Sequence, residues 1–248
     1  MHRTLFIDID GTLINEPPAP PSQDCIREYS LLKIMRDRAV ALGVRSAGEA
    51  TRQIEHLLDS RTWWDWHDFL EVLDLPAAEF WPYADQVEAR SRRAIEANLD
   101  LKLEHLSRAG CRLCITSNNP SSGIRHKLRL AGLSREWQKK YIDRIFGTDV
   151  TRSMKWDRTF WIEAIKLAET KIDGITLVGN DWHDDVQVPA EVGIREFVYL
   201  KPSAAPAKTP PAGVAVHPVQ DWTAAVHAIL TGAGKHRVAT GIGAGVEG

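Results

Sequence analysis

Two spacings of apolar residues divide the chain. Leu5-Phe6-Ile7-Asp8-Ile9 carries four apolar residues in five and predicts a short buried strand. The proline-rich stretch Asn15-Glu16-Pro17-Pro18-Ala19-Pro20-Pro21 can continue neither strand nor helix and reads as a loop. Beyond it, Ile26, Tyr29, Leu32, Met35, Ala39 and Leu42 recur every three or four positions and mark one helical face, with Gly43 as its stop. Further helices are predicted over 48–58, around 63–73 and over 84–97, with Pro76 and Pro82 as interruptions. No stretch between 15 and 98 reads as a strand.

From Leu99 the two spacings alternate. A helix over 101–109 closed by Gly110 is followed by a strand over 111–115, a helix over 124–130 stopped by Gly132, and a strand over 141–146. Trp156, Phe160, Ala164 and Leu167 give another helical face, 175–179 a strand as apolar as the first, and a helix begins near Asp184. Residues 196–200 make a final strand, 201–218 a loop, and 221–230 a last helix. The pattern predicts an α/β fold: a doubly wound, Rossmann-like parallel sheet from 1–14 and 99–231, with an all-helical domain, 15–98, inserted after the first strand. The glycine-rich tail, 232–248, is expected to be disordered.

Composition narrows the class. A chain of 248 residues, 44% hydrophobic, can bury the core of one domain plus an insertion. A formal net charge of -2 gives no broad attraction for nucleic acid or an acidic membrane. No apolar run suits a signal peptide or a membrane span. Of the three cysteines, Cys111 and Cys114 fall within one predicted strand, and no second Cys/His pair has zinc spacing. They read as buried core thiols, and a reducing, cytoplasmic setting is expected.

The candidate chemistry lies at three predicted strand ends, the edge where such sheets bind ligands. These carry Asp8 and Asp10, then Thr116 with Ser117 and Asn118, then the polar run 180–185; Lys155, ahead of a helix, can join them. Two acids closing a buried strand are costly without a counter-charge. A hard divalent cation such as Mg2+ supplies it and lets a phosphate ester approach. Asp8 then attacks phosphorus to form an aspartyl phosphate, with Asp10 as general acid and later base for water. Thr116 donates to a phosphoryl oxygen, and Lys155 neutralises charge on the phosphoryl group and on Asp8.

Four pieces in this order, Asp8-Ile9-Asp10-Gly11-Thr12-Leu13, Thr116, Lys155 and the acidic loop after Leu177-Val178-Gly179, resemble the haloacid dehalogenase (HAD) superfamily of phosphohydrolases. The resemblance spans roughly residues 1–200, with 15–98 in the place of the family's helical cap of the first type. It implies a Mg2+-dependent hydrolase of a small-molecule phosphate ester. The metal would be held by Asp8, the backbone carbonyl of Asp10, and the late acidic loop, here Asp181 and Asp185. Ser117 and Asn118 fall at substrate-binding positions.

Two positions depart from the family pattern. Gly179 is followed by Asn180, so either Asn180 replaces the first acid as a neutral ligand or Asp181 takes its place, with Asp185 second. Lys155 is followed by Trp156 where proline is common, leaving Arg152 as a rival. Asp10 argues for phosphate-ester hydrolysis over carbon–halogen cleavage, since dehalogenating members lack that acid. A phosphomutase or phosphotransferase of the same superfamily, and a non-catalytic binding protein of this fold, are the alternatives. The cluster Trp63-Trp64-Asp65-Trp66-His67-Asp68-Phe69 is read as packing, His67 and its neighbouring acids as no metal site, and Arg90, Arg92 and Arg93 as a solvated helix face.

Overall fold

The opening apolar run forms β1 (Arg3–Ile7), in which Leu5, Phe6 and Ile7 are wholly buried. In the computed structural model, which describes residues 3–15, 31–200 and 209–231, five more strands join it. They are β2 (Cys111–Thr116), β3 (Ile142–Phe146), β4 (Ile175–Gly179), β5 (Glu196–Leu200) and β6 (Ala215–Val219). All pairings are parallel, in the order β3-β2-β1-β4-β5-β6. The order reverses between β1 and β4, which is where the strand ends open a crevice. The expected strand over 5–9 leaves the regular ladder at Ile7. β6 corrects the loop expected over 201–218: it is short, at the sheet edge, and carries Pro218 opposite Tyr199. An edge strand tolerates a residue without an N–H because one of its sides has no partner strand.

Between β1 and β2 the described chain is helical: α1 (Leu31–Ala41), α2 (Ala47–Ser60), α3 (Trp66–Val72) and α4 (Ala77–Glu88). Ser46 starts α2 with a reciprocal capping box to Glu49, and Asp65 caps α3 through the His67 N–H. The four helices bury a cluster of their own, including Met35, Ile54, Trp66, Phe69 and Phe80. Pro76 does mark a boundary, as the residue before α4, but Pro82 lies inside that helix. The expected helix over 84–97 therefore begins earlier and ends at Glu88. Burial of Phe80 and Ala84 on either side of Pro82 offsets the lost backbone bond. Residues 89–98 instead return to the sheet: Ile95 N–H donates to Leu13 O at 2.9 Å, and Asn15 N–H to Arg93 O at 3.0 Å. Residues 16–30, with Cys25, Ile26 and Tyr29, and the tail 232–248 lie outside the described residues.

The strands alternate their faces with period two. Leu5 and Ile7 join a cluster with Leu113, Ile115, α5 (Leu99–Arg108), α6 (Ser121–Leu130) and the last helix. Phe6 points the other way, against Phe146 and Trp161. A short helix not expected from the pattern, α7 (Arg135–Tyr141), precedes β3, and α8 (Thr148–Thr151) follows it. Then come α9 (Arg158–Leu167), a π-helical turn over His183–Gln187 continuing into α10 (Val188–Glu191), and α11 (Trp222–Thr231). Trp156 precedes α9 and is half exposed, so the buried face of α9 is Phe160, Trp161 and Ala164. Cys111 and Cys114 are buried in β2, and burial pushes the Cys114 thiol up to about 12. Among the described residues no helix is long and apolar enough to cross a membrane.

The helical insertion meets the sheet layer along α6. Trp66 packs so closely on Gly123 that a Cβ there would stand 2.3 Å from its Nε1, and Thr148 Oγ1 donates to Trp64 O at 2.7 Å. His126, with no exposed surface, sits between two carboxylates of α4, with Nδ1 2.5 Å from Asp85 Oδ1 and Nε2 against Glu88. Arg129 adds three further bonds to Asp85, at 2.9, 3.0 and 3.1 Å. Burial alone would lower the imidazole's affinity for a proton, but the two acids outweigh it and raise its pKa. That stabilisation is complete below the unfolded value of about 6.5 and is lost as pH rises through the raised folded value. Urea unfolding of the full chain is therefore expected to show stability falling as pH is raised above neutrality, and His126→Gln to flatten that limb of the profile.

Candidate active site

One turn after β1 assembles most of the site. Asp8 N–H still bonds Val178 O at 2.9 Å, holding Asp8 beside β4, and the chain then folds back so that the Thr12, Leu13 and Ile14 N–H groups all reach Ile9 O. Gly11 carries the turn at φ +75°, and a Cβ there would lie 2.1 Å from the Asn180 side-chain nitrogen. Only glycine meets both demands. Trp222 of α11 fixes the far side of the turn, its Nε1 donating to Thr12 O at 2.6 Å.

The turn brings the Asn180 side-chain amide against two oxygens. One end of the amide lies 2.7 Å from the Asp10 carbonyl oxygen and 3.2 Å from Asp8 Oδ2. Thr12 Oγ1 is 3.0 Å from both Asp8 Oδ2 and Asn180 Oδ1. Ligand oxygens on adjacent corners of a Mg2+ octahedron stand about 3 Å apart, from metal–oxygen distances near 2.1 Å. With the amide oxygen turned to Asp8 Oδ2 and Asp10 O, these groups have the spacing of a hard cation's ligands. The same amide turned over would donate to Asp8 Oδ2 and to Asp10 O and satisfy both without one.

Asp181, expected as a direct ligand, is exposed, and its Oδ1 accepts the Asp184 N–H at 2.7 Å. Its carboxylate serves its own turn, and the loop side chain that faces Asp8 and Thr12 is that of Asn180. Asp185 is buried and its Oδ2 accepts the N–H groups of Asn180 and Asp181 at 3.1 and 3.0 Å, which shapes the loop after β4. Its other oxygen meets Lys155 rather than Asn180. Among the described residues no three His, Cys, Asp or Glu side chains gather into a metal-binding group, the region of His67 included.

Lys155 is 2% exposed, with Nζ 2.6 Å from Asp8 Oδ1 and 2.5 Å from Asp185 Oδ1. Burial would lower its pKa, but Asp185 and Asp8 outweigh that and drive it upward, so the ammonium is permanent. Its backbone is held at both ends, the N–H by Asn118 Oδ1 at 2.6 Å and the carbonyl by Trp161 Nε1 at 2.8 Å. The rival Arg152 is exposed and stands at φ +52°, away from this cluster. Burial first, then the charges of Asp185 and Asp10, push the Asp8 carboxyl up to about 7 despite Lys155.

At the end of β2, Thr116 has no exposed surface and its hydroxyl has no hydrogen-bond partner. Ser117 and Asn118, expected to bind substrate, have internal partners. Ser117 Oγ accepts from the Asn119 N–H and side-chain amide at 3.1 Å each, and Asn118 Nδ2 donates to Asp184 Oδ2 at 2.8 Å.

Asp10 is held by residues that sequence reasoning did not place at the site. Lys127 Nζ of α6 lies 2.7 and 2.6 Å from its two oxygens, Arg92 is 3.2 Å away, and Asn119 donates at 3.0 Å. Burial would raise the Asp10 carboxyl, yet Lys127 and Arg92 outweigh it and hold it below the usual carboxylate range. Arg92 lies beyond the end of α4, not on a solvated helix face, and also bonds Glu88 at 2.8 Å. The spacing Ile124-x-x-Lys127-Leu128, which turns a lysine toward the apolar face of α6, is the signal that marks Lys127 as buried.

Solved structures place this architecture. A HAD phosphatase from Thermococcus onnurineus superposes with a TM-score of 0.58 at 22% identity, covering 96% of this chain and all of the other. The fold is that of the HAD hydrolases. YfnB of Bacillus subtilis, a HAD hydrolase solved with magnesium, gives 0.55 at 17% identity over 92% and 98% of the two chains. The L-2-haloacid dehalogenase RSc1362 gives 0.55 at 16% identity over 91% and 97%. No family model and no curated protein matches the chain.

Within this HAD fold, Lys155 is a buried cation held between two buried acids, Asp8 and Asp185. Lys155→Met is expected to destabilise the protein by about 3–5 kcal/mol in urea unfolding at pH 7. Adding Asp8→Asn, which removes one of the two stranded charges, recovers part of that loss.

Proposed function

We propose that the chain is a Mg2+-dependent phosphatase that hydrolyses a small phosphorylated metabolite through an aspartyl phosphate on Asp8. The observation that carries the reading is a buried, lysine-bound Asp8 with the Asp10 carbonyl and the Asn180 side-chain amide gathered beside it. Mg2+ bound by Asp8, Asp10 O and Asn180 would offset negative charge on the incoming phosphate and lower the proton affinity of Asp8. Asp8 Oδ attacks phosphorus, the ester oxygen departs with its electron pair, and Lys155 and the unpartnered Thr116 hydroxyl stabilise the charge that builds on the phosphoryl oxygens. Water then attacks the acyl phosphate, releasing inorganic phosphate and the Asp8 carboxylate. Asp10, kept ionised by Lys127 and Arg92, is suited to take the proton from that water. Protonating a leaving group requires Asp10 first to give up those two contacts.

The helices α1 to α4 serve as a cap of the first type over the crevice, and the free buried thiols suit a cytoplasmic setting. A second reading, cleavage of a carbon–halogen bond by the same Asp8, is favoured by one observation: the turned Asn180 amide satisfies Asp8 and Asp10 O without a cation. Release of phosphate from a panel of phosphate esters, set beside halide release from 2-haloacids with chelator present, separates the two.

Asp8→Asn is expected to abolish phosphate release, by at least a thousandfold, with the fold intact by circular dichroism. Asn180→Asp, which adds a charge to the inner position, is expected to tighten Mg2+ binding by about tenfold in calorimetry, or about 1.4 kcal/mol. Absence of Mg2+ binding in the wild type and in Asn180→Asp alike would overturn the metal-dependent reading.

A further inference from the structure

We propose that the seam between the helical insertion and the sheet layer is a second binding site, for a small polyanion bearing phosphate groups. A cavity of about 300 Å³ lies there, a volume at the lower end for small-ligand sites. α6 contributes Ser122, Arg125 and Arg129, which share one helical face at i, i+3 and i+7; α7 contributes Arg135 and Lys139 at i and i+4, and Trp81 of α4 lines the insertion's side.

Charge makes the case. Arg129 is committed to Asp85, but Arg125, Arg135 and Lys139 form no ion pair among the described residues. Three uncompensated cations around one cavity, in a chain whose net charge is -2, do not follow from a generally basic surface. Their mutual repulsion is offset when an anion binds between them, and guanidinium forks suit phosphate oxygens. The Ser122 hydroxyl is buried without a hydrogen-bond partner and can donate to the same anion. Gln138 of α7 links that helix to α6 and to the loop between them, its Nε2 donating to Arg125 O at 3.5 Å and to Leu133 O at 2.8 Å.

The site is distinct from the catalytic turn. Lys127, which holds Asp10, lies about 140° around α6 from Ser122 at roughly 100° per residue. The proposal therefore does not rest on the phosphatase reading. An anion here touches both the insertion and the core beside the His126–Asp85–Arg129 contact, so its occupancy favours the packed arrangement of the two.

The test is calorimetric titration of the full chain with inorganic pyrophosphate and, separately, ADP, with EDTA present so that no divalent cation recruits phosphate to Asp8. Saturable one-to-one binding is expected, weakened at least tenfold by Arg125→Glu with Arg135→Glu and by raised salt, and unchanged by Asp8→Asn. Arg125→Gln with Arg135→Gln, which removes charge without reversing it, should weaken binding to a smaller degree. Tighter binding of ADP, lost in Trp81→Ala, places the base on the indole; equal affinities place recognition on the phosphates alone, and both support the site. Binding that is absent, that survives the charge reversals, or that Asp8→Asn removes would overturn it.

Discussion

Lys155 stands between Asp8 at the end of β1 and Asp185 beyond β4, within 2.6 Å of both, and the carboxyl end of the sheet depends on that contact. Two buried carboxylates on neighbouring strands repel strongly in a medium of low dielectric, and each also loses hydration. One buried ammonium answers both. The rest of the loop after β4 is arranged to keep it so. Asp185 spends its second oxygen on the backbone of Asn180 and Asp181, Asn118 holds the Lys155 N–H, and Trp161 holds its carbonyl. These bonds join β1, β2, β4 and α9 at one point, so the geometry of the site and the packing of the fold are the same problem.

Asp10 is tied to a different part of the molecule. Its cations come from α6, through Lys127, and from the segment that returns from the helical insertion, through Arg92. Arg92 also bonds Glu88, and Glu88 meets His126, so a chain of charge-assisted contacts runs from the seam of the insertion to the catalytic turn. A displacement of α4 would change the charges around Asp10. Asp10 and the helical insertion are coupled through ordinary ion pairs, and no separate device is needed.

The neutral residue at position 180 gives the site a balance unlike that of an acidic metal site. An aspartate there would repel Asp8 whenever the cation is absent. An asparagine removes that repulsion by rotating its amide, which offers an oxygen to a cation in one orientation and a donor to Asp8 and Asp10 O in the other. A cation bound there would be held by one negative charge fewer.

Much of the architecture was legible in the chain. The apolar strand at 5–9, the switch to helical spacing and the later alternation predict a parallel α/β sheet with a helical insertion, because strands covered on both faces must be apolar throughout and helices covered on one face need not be. That Asp8, Thr116, Lys155 and Asp185 lie at one edge of the sheet was readable from motif order, since each sits at a strand end or loop whose position follows from that alternation. β6 was hidden because an edge strand of five residues with a proline has too weak a pattern, and α4 was misplaced because burial carried it through Pro82. Only the tertiary structure showed that the Asn180 side chain faces Asp8 while Asp181 is exposed, since one residue of register in a loop turns a side chain inward or outward. It alone also brought Lys127, Arg92 and Asn119 to Asp10, because contacts across 82 to 117 residues depend on how the insertion folds back on the sheet.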